Sequence, residues 1–85
     1  MKSDFSRFLR QRREALAMTQ AEIAQACGLT EMSVTLIEAG QRRLALERVP
    51  RLAEALQVPP AELCLLALRC RYPELTAALT AREVQ

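Results

Sequence analysis

Eighty-five residues make one small domain, or one domain with a short tail, and 51% apolar with 26% charged residues is the composition of an ordinary folded protein. The net charge of +2 is carried by eleven Arg and one Lys against ten Asp and Glu; arginine suits phosphate, because its planar fork donates two bonds at once, although coding bias from a GC-rich genome gives the same excess. The lack of His excludes His-based acid–base catalysis and His metal sites, and two glycines leave no Gly-rich phosphate loop.

Cys27, Cys64 and Cys70 are odd in number and form no C-x-x-C pair. A disulfide scaffold or zinc site is not expected, and a reducing compartment fits. Cys64 and Cys70 are expected to be buried thiols. No apolar run approaches the ~18 residues of a transmembrane helix. The first residues place Asp4 early and hold no apolar core segment, so they do not resemble a signal peptide. A cytoplasmic location is the expectation.

Helical punctuation recurs along the chain. Ser3 or Asp4 can cap a first helix running to about Ala17, with Phe5, Phe8, Leu9, the stem of Arg12, and Leu16 at three-to-four spacing. Thr19 with Glu22 is a capping box that opens a second helix, 20–27. Gly28 suits the left-handed turn that ends it. Thr30 caps a third helix, 31–39, with Leu29 and Val34 placed as a hydrophobic staple, and Gly40 stops it. Gln41, Arg42 and Arg43 form a short basic loop. Pro50 begins a fourth helix ending near Gln57, with Leu52, Ala53 and Leu56 inward. Pro60 begins a fifth, to about Arg71, and Glu74 to about Arg82 makes a last short one. No period-two alternation supports a strand, so the class is all-α, with short connections.

Residues 19–40 thus place two short helices around a three-residue turn, the spacing of a helix-turn-helix. Ala24 is small where the pair must cross, and Ile23, Cys27, Val34 and Ile37 are apolar where it faces a core. The run from Thr19 to Gly40 resembles the Cro and phage-repressor type of helix-turn-helix, the XRE family. The likeness continues in Leu9, Arg10 and Arg13 before the motif, in Val49 to Val58, and in Pro60 to Leu63, covering about residues 5–66.

The resemblance implies a five-helix, lambda-repressor-like DNA-binding domain over 1–66, here with a short extra C-terminal helix in 67–85. It implies that the third helix lies in the major groove of double-stranded DNA, where base edges carry a unique donor and acceptor code. Glu31, Met32, Thr35 and Leu36 occupy the positions that read bases. Gln20 occupies a phosphate-contact position. Ser33, Gln41, Arg42, Arg43 and Arg10 are further phosphate candidates. Arg13 and Glu38 match an internal ion pair of the family.

The chain also departs from that pattern. Met32 and Leu36 are apolar and Glu31 is acidic, where relatives often place Arg, Gln or Asn. Glu31 can accept from a cytosine amine, and Met32 and Leu36 can touch thymine methyls. The alternative is a protein-interaction module, such as an adaptor, antirepressor or antitoxin, whose apolar third helix docks a protein partner. Arg12 stands where the family usually has an apolar residue; it either snorkels or turns its charge toward DNA. Residues 1–43 carry seven basic and five acidic residues, and residues 44–85 five of each, so the excess charge lies on the half expected to face DNA.

The fifth helix is apolar nearly all round and needs cover on more than one side. Either the last helix closes a monomer, or a second copy covers Leu65, Leu68, Tyr72, Leu75 and Leu79 in a homodimer. The expected function is sequence-specific transcriptional regulation, as a repressor acting as a dimer on an inverted-repeat operator. No enzyme, cofactor, metal or small-molecule ligand is indicated, because no Ser/His or metal cluster exists. A membrane role lacks a helix pairing a basic face with Trp or Phe.

Overall fold

Thr19 and Thr30 start two helices by the same device. The Thr19 hydroxyl accepts from the Glu22 amide at 3.1 Å, and the Glu22 carboxylate accepts from the Thr19 amide at 2.8 Å. The Thr30 hydroxyl accepts from the Ser33 amide at 3.1 Å. The computed structural model describes residues 4–83, with side chains through residue 79. Its helices in chain order are α1 (Asp4–Ala15), α2 (Gln20–Cys27), α3 (Glu31–Glu38), a 3-10 turn (Leu46–Arg48), α4 (Val49–Ala55), α5 (Pro60–Arg71) and α6 (Pro73–Glu83). The described residues contain no strand.

Helix α2 packs on α3 and α4, α4 on α5, and α1 on α3 and α5. Their inner faces bury Leu9, Ile23, Val34, Val49, Leu52, Leu56 and Leu63 almost completely. Burying one such side chain is worth about 1.5–3 kcal/mol, which makes this cluster the main source of stability. Ala24 and Ala53 let the backbones approach. Helix α5 runs unbroken past residue 66, so the C-terminal extension consists of its last turn and α6.

Several ends differ from expectation for one reason. The first helix stops at Ala15, not Ala17, and α4 at Ala55, not Gln57. In both cases the chain closes with a left-handed residue, Ala17 and Gln57, each at φ 57°. The amides of Met18 and Val58 then reach back to the carbonyls of Arg13 and Ala53. Gly28 and Gly40 make the same closure for α2 and α3. Helix α4 also starts one residue early, because the 3-10 turn delivers Val49 in helical conformation.

A left-handed conformation costs a residue bearing a Cβ about 1–2 kcal/mol. Glycine returns about 0.5–1 kcal/mol of that through its freer unfolded chain. Ala17→Gly and Gln57→Gly are therefore each expected to stabilise the domain, raising the thermal midpoint by a few degrees at about 4–8 °C per kcal/mol. A lower midpoint in circular-dichroism melts of either variant would refute this strain.

The cysteines also differ from expectation. Cys27 is buried, and burial pushes its thiol pKa up against the opposing pull of Arg51 and Arg48. Cys64 is only half-buried and Cys70 is exposed. Cys70 lies near the end of α5, on a side that its packing partners α1, α4 and α6 leave open.

Candidate nucleic-acid interface

Helix α3 divides its residues by the 3.6-residue period. Val34, Ile37 and Glu38 face inward and are buried. Glu31, Met32 and Thr35 face outward and are exposed, with Met32 at 65%. Leu36 is half-buried at the margin of the same stripe. The four positions expected to read bases therefore share one face, of which Leu36 shows least. Glu31 lies in the first turn, where the helix dipole favours its charge.

A hydrogen-bond chain holds this helix on the body. Arg13 donates to both oxygens of Glu38, from Nε at 2.6 Å and from a terminal nitrogen at 3.0 Å. Its other terminal nitrogen donates to the Met18 carbonyl at 2.8 Å. Glu38 also accepts from the Gln20 side-chain amide at 3.1 Å. The Gln20 carbonyl oxygen accepts from the Thr35 hydroxyl at 2.8 Å. The chain thus links α1, the first turn of α2, and both faces of α3. The hydrogen bond to Glu38 raises the Arg13 pKa further above its ordinary high value, against the opposing effect of burial.

The polar groups expected near phosphates fall into two sets. Arg10 lies with Arg13, Gln20, Thr35 and Glu38 along one crevice between α1, α2 and α3, and forms an exposed ion pair with Glu14 at 3.6 Å. Gln20 is at the entrance of α2, but its amide is engaged inside the protein. On the other side, Arg42 donates to the Ser33 hydroxyl at 2.8 Å and folds back on α3. Ser33 accepts a second bond from Thr30 at 3.0 Å. Gln41 and Arg43 are exposed, and Arg43 makes no ion pair or side-chain hydrogen bond with the described residues.

Three arginines have roles that sequence reasoning did not assign. Arg12 turns its guanidinium to the end of α4. It donates to the Leu56 carbonyl at 2.8 Å and the Gln57 carbonyl at 3.4 Å, closing the C-terminal end of α4. Arg48 donates to the Cys27 carbonyl at 3.0 Å, at the end of α2. Arg71 donates to the Leu44 carbonyl. Each partner lies far along the chain, so no local pattern announces the contact.

After α5, α6 packs back on that helix. Among its described side chains only Thr76 is buried. Tyr72, Leu75 and Leu79 are 49%, 56% and 51% exposed, beside Leu65 at 41%. Leu68 is half-buried.

Among the described residues no helix is long and apolar enough to cross a membrane. No group of three or more His, Cys, Asp or Glu among them is placed to hold a metal ion. A helix-turn-helix domain family matches residues 4–66. The high-resolution crystal structure of the restriction-modification controller protein C.AhdI from Aeromonas hydrophila is similar, with a TM-score of 0.63 and 37% sequence identity, over 69% of this chain and 86% of that one. No curated protein matches the sequence. Together with the outward stripe of α3 and its anchored frame, these likenesses place the chain in the helix-turn-helix family, of the Cro and phage-repressor type, as a DNA-binding regulator of transcription.

Proposed function

We propose that the protein is a cytoplasmic repressor that binds an inverted-repeat operator as a homodimer. Glu31, Met32, Thr35 and Leu36 read base edges in the major groove. Gln20, Ser33, Gln41, Arg42, Arg43 and Arg10 face phosphates on either side. The observation that carries this reading is α3 itself: its outward stripe is exposed while Glu38, on its inner face, ties it to Arg13 and Gln20. A helix held this way presents its side chains without first paying to order them. Likeness to a restriction-modification controller favours a controller role of that kind.

Leu65, Leu68, Tyr72, Leu75 and Leu79, on α5 and the C-terminal extension, supply the dimer contact in this proposal. The uncovered Leu65, Tyr72, Leu75 and Leu79 support it, since a second copy of the same surface would remove them from water. Two copies would set two reading helices about one DNA turn apart, roughly 34–36 Å.

The test is selection from random duplex DNA, with survivors measured by fluorescence anisotropy across a salt series. The expected result is an inverted repeat bound at least about 10³-fold more tightly than random DNA, with affinity falling steeply as salt rises. Exposed Met32 favours one competing reading, docking of a protein on α3. Sequence-blind binding that vanishes near physiological salt would support that reading and sink the operator.

A further inference from the structure

We propose that the outward stripe of α3 offers the major groove acceptors and apolar groups but no hydrogen-bond donor. It therefore selects base edges bearing an amino or methyl group, namely cytosine N4, adenine N6 and the thymine methyl, and rejects guanine. This rests on the reading above that α3 lies in the groove, and names what it selects there.

The decisive group is Thr35, whose hydroxyl could in principle donate or accept. Its neighbours decide. Glu38 takes two bonds from Arg13, and a carboxylate has only lone pairs to offer Gln20. Gln20 must therefore turn its NH2 toward Glu38, at 3.1 Å, and its carbonyl toward Thr35, at 2.8 Å. A carbonyl has no proton to give, so Thr35 donates. Among the described residues the one other acceptor for that proton is the Glu31 main-chain carbonyl, at 3.1 Å. Either way the single hydroxyl proton is spent inside the protein. What is left to exposed Thr35 for an outside partner is lone-pair density and a methyl group.

The other members of the stripe agree. Glu31 is an exposed carboxylate, an acceptor only. Met32 and Leu36 donate nothing. Guanine shows the groove two acceptors, N7 and O6, which meet acceptors here without a proton between them. Cytosine and adenine show amino donors, and thymine a methyl. The donors of this region lie outside the stripe, at Gln41, Arg42 and Arg43 in the following loop, Arg10 on α1, and the hydroxyl of Ser33, whose oxygen accepts from Arg42 and Thr30.

The test compares sites selected from random DNA by the wild-type protein, Glu31→Gln and Thr35→Val. Both side chains are exposed, and unchanged thermal midpoints establish that the variants fold. Base positions that respond to either substitution are expected to carry cytosine, adenine or thymine on the contacted strand, with guanine at least about 10-fold weaker. Glu31→Gln adds an amide donor and should shift its position toward adenine. Thr35→Val keeps methyl contact, loses the lone pairs, and should lose preference for an amino-bearing base. Since cytosine on one strand is guanine on the other, the wild-type site is then remeasured with 7-deazaguanine at the responsive positions. Affinity should change by less than about twofold, whereas a lost N7 contact would cost about 10-fold. That loss, or guanine preferred on the contacted strand, overturns the inference while leaving α3 as the reading helix. A consensus unmoved by both substitutions overturns it and assigns reading to other residues. A wild-type selection with no consensus overturns it together with the reading it rests on.

Discussion

Glu38→Ala is expected to destabilise the domain by about 3–5 kcal/mol. Glu38 is 4% exposed and accepts from Arg13 twice and from Gln20 once. Its removal strands the Arg13 guanidinium, whose side chain is 13% exposed, with the Met18 carbonyl as its remaining partner among the described residues. An uncompensated charge in that setting costs more than the pair itself contributes. A domain of this size has about 4–13 kcal/mol in total. The thermal midpoint should fall by more than about 12 °C, at about 4–8 °C per kcal/mol. A shift within about 2 °C in a calorimetric or circular-dichroism melt would contradict the assignment. The raised Arg13 pKa sets the sign of any pH effect. Its contribution is fully present below the ordinary arginine value and is lost only as pH rises through the still higher folded one. The pair should thus show no loss from the arginine side before strong alkali.

A second substitution separates stability from recognition. Arg13→Met with Glu38→Leu replaces the pair by apolar side chains, which proteins often tolerate at little cost. That double variant should recover much of the midpoint. It leaves Gln20 without its carboxylate partner, so the orientation of Thr35 is no longer dictated. Operator selectivity should fall while the fold survives.

The largest expected effect on binding comes from residues outside α3. Leu75→Glu with Leu79→Glu places charge on a face that is half exposed and outside the main core. The fold and its melting should be little changed. If two copies meet through this face, the variant should sediment as the 9.5 kDa single chain. Operator affinity should then fall about 10²–10⁴-fold, because the second half-site is no longer tethered to the first. Binding to an isolated half-site should be unaffected. Wild-type protein sedimenting at 9.5 kDa at tens of micromolar would remove the dimer from the proposal.

Local chemistry determined the starts of the helices of the motif and two of their stops. Thr19 with Glu22, Thr30 with Ser33, and the left-handed Gly28 and Gly40 act through bonds spanning three to five residues, so sequence alone announces them. The inward and outward partition of α3 follows in the same way from the period of Val34, Ile37 and Glu38. The left-handed closures at Ala17 and Gln57 were not legible, because no glycine marks them, although main-chain bonds from Met18 and Val58 close those helices just as at Gly28 and Gly40. Nor was Cys70 legible as exposed, since an apolar helix does not state which of its sides a neighbour covers. Tertiary structure alone decided which arginines are engaged by main-chain carbonyls. Arg12, Arg48 and Arg71 look in sequence like Arg43, yet each is consumed by a main-chain carbonyl 44, 21 or 27 residues away. It decided the polarity of Thr35 too, through Arg13, Glu38 and Gln20. A hydroxyl carries both a donor and acceptors, and only the groups that fold against it determine which of them is left for a base.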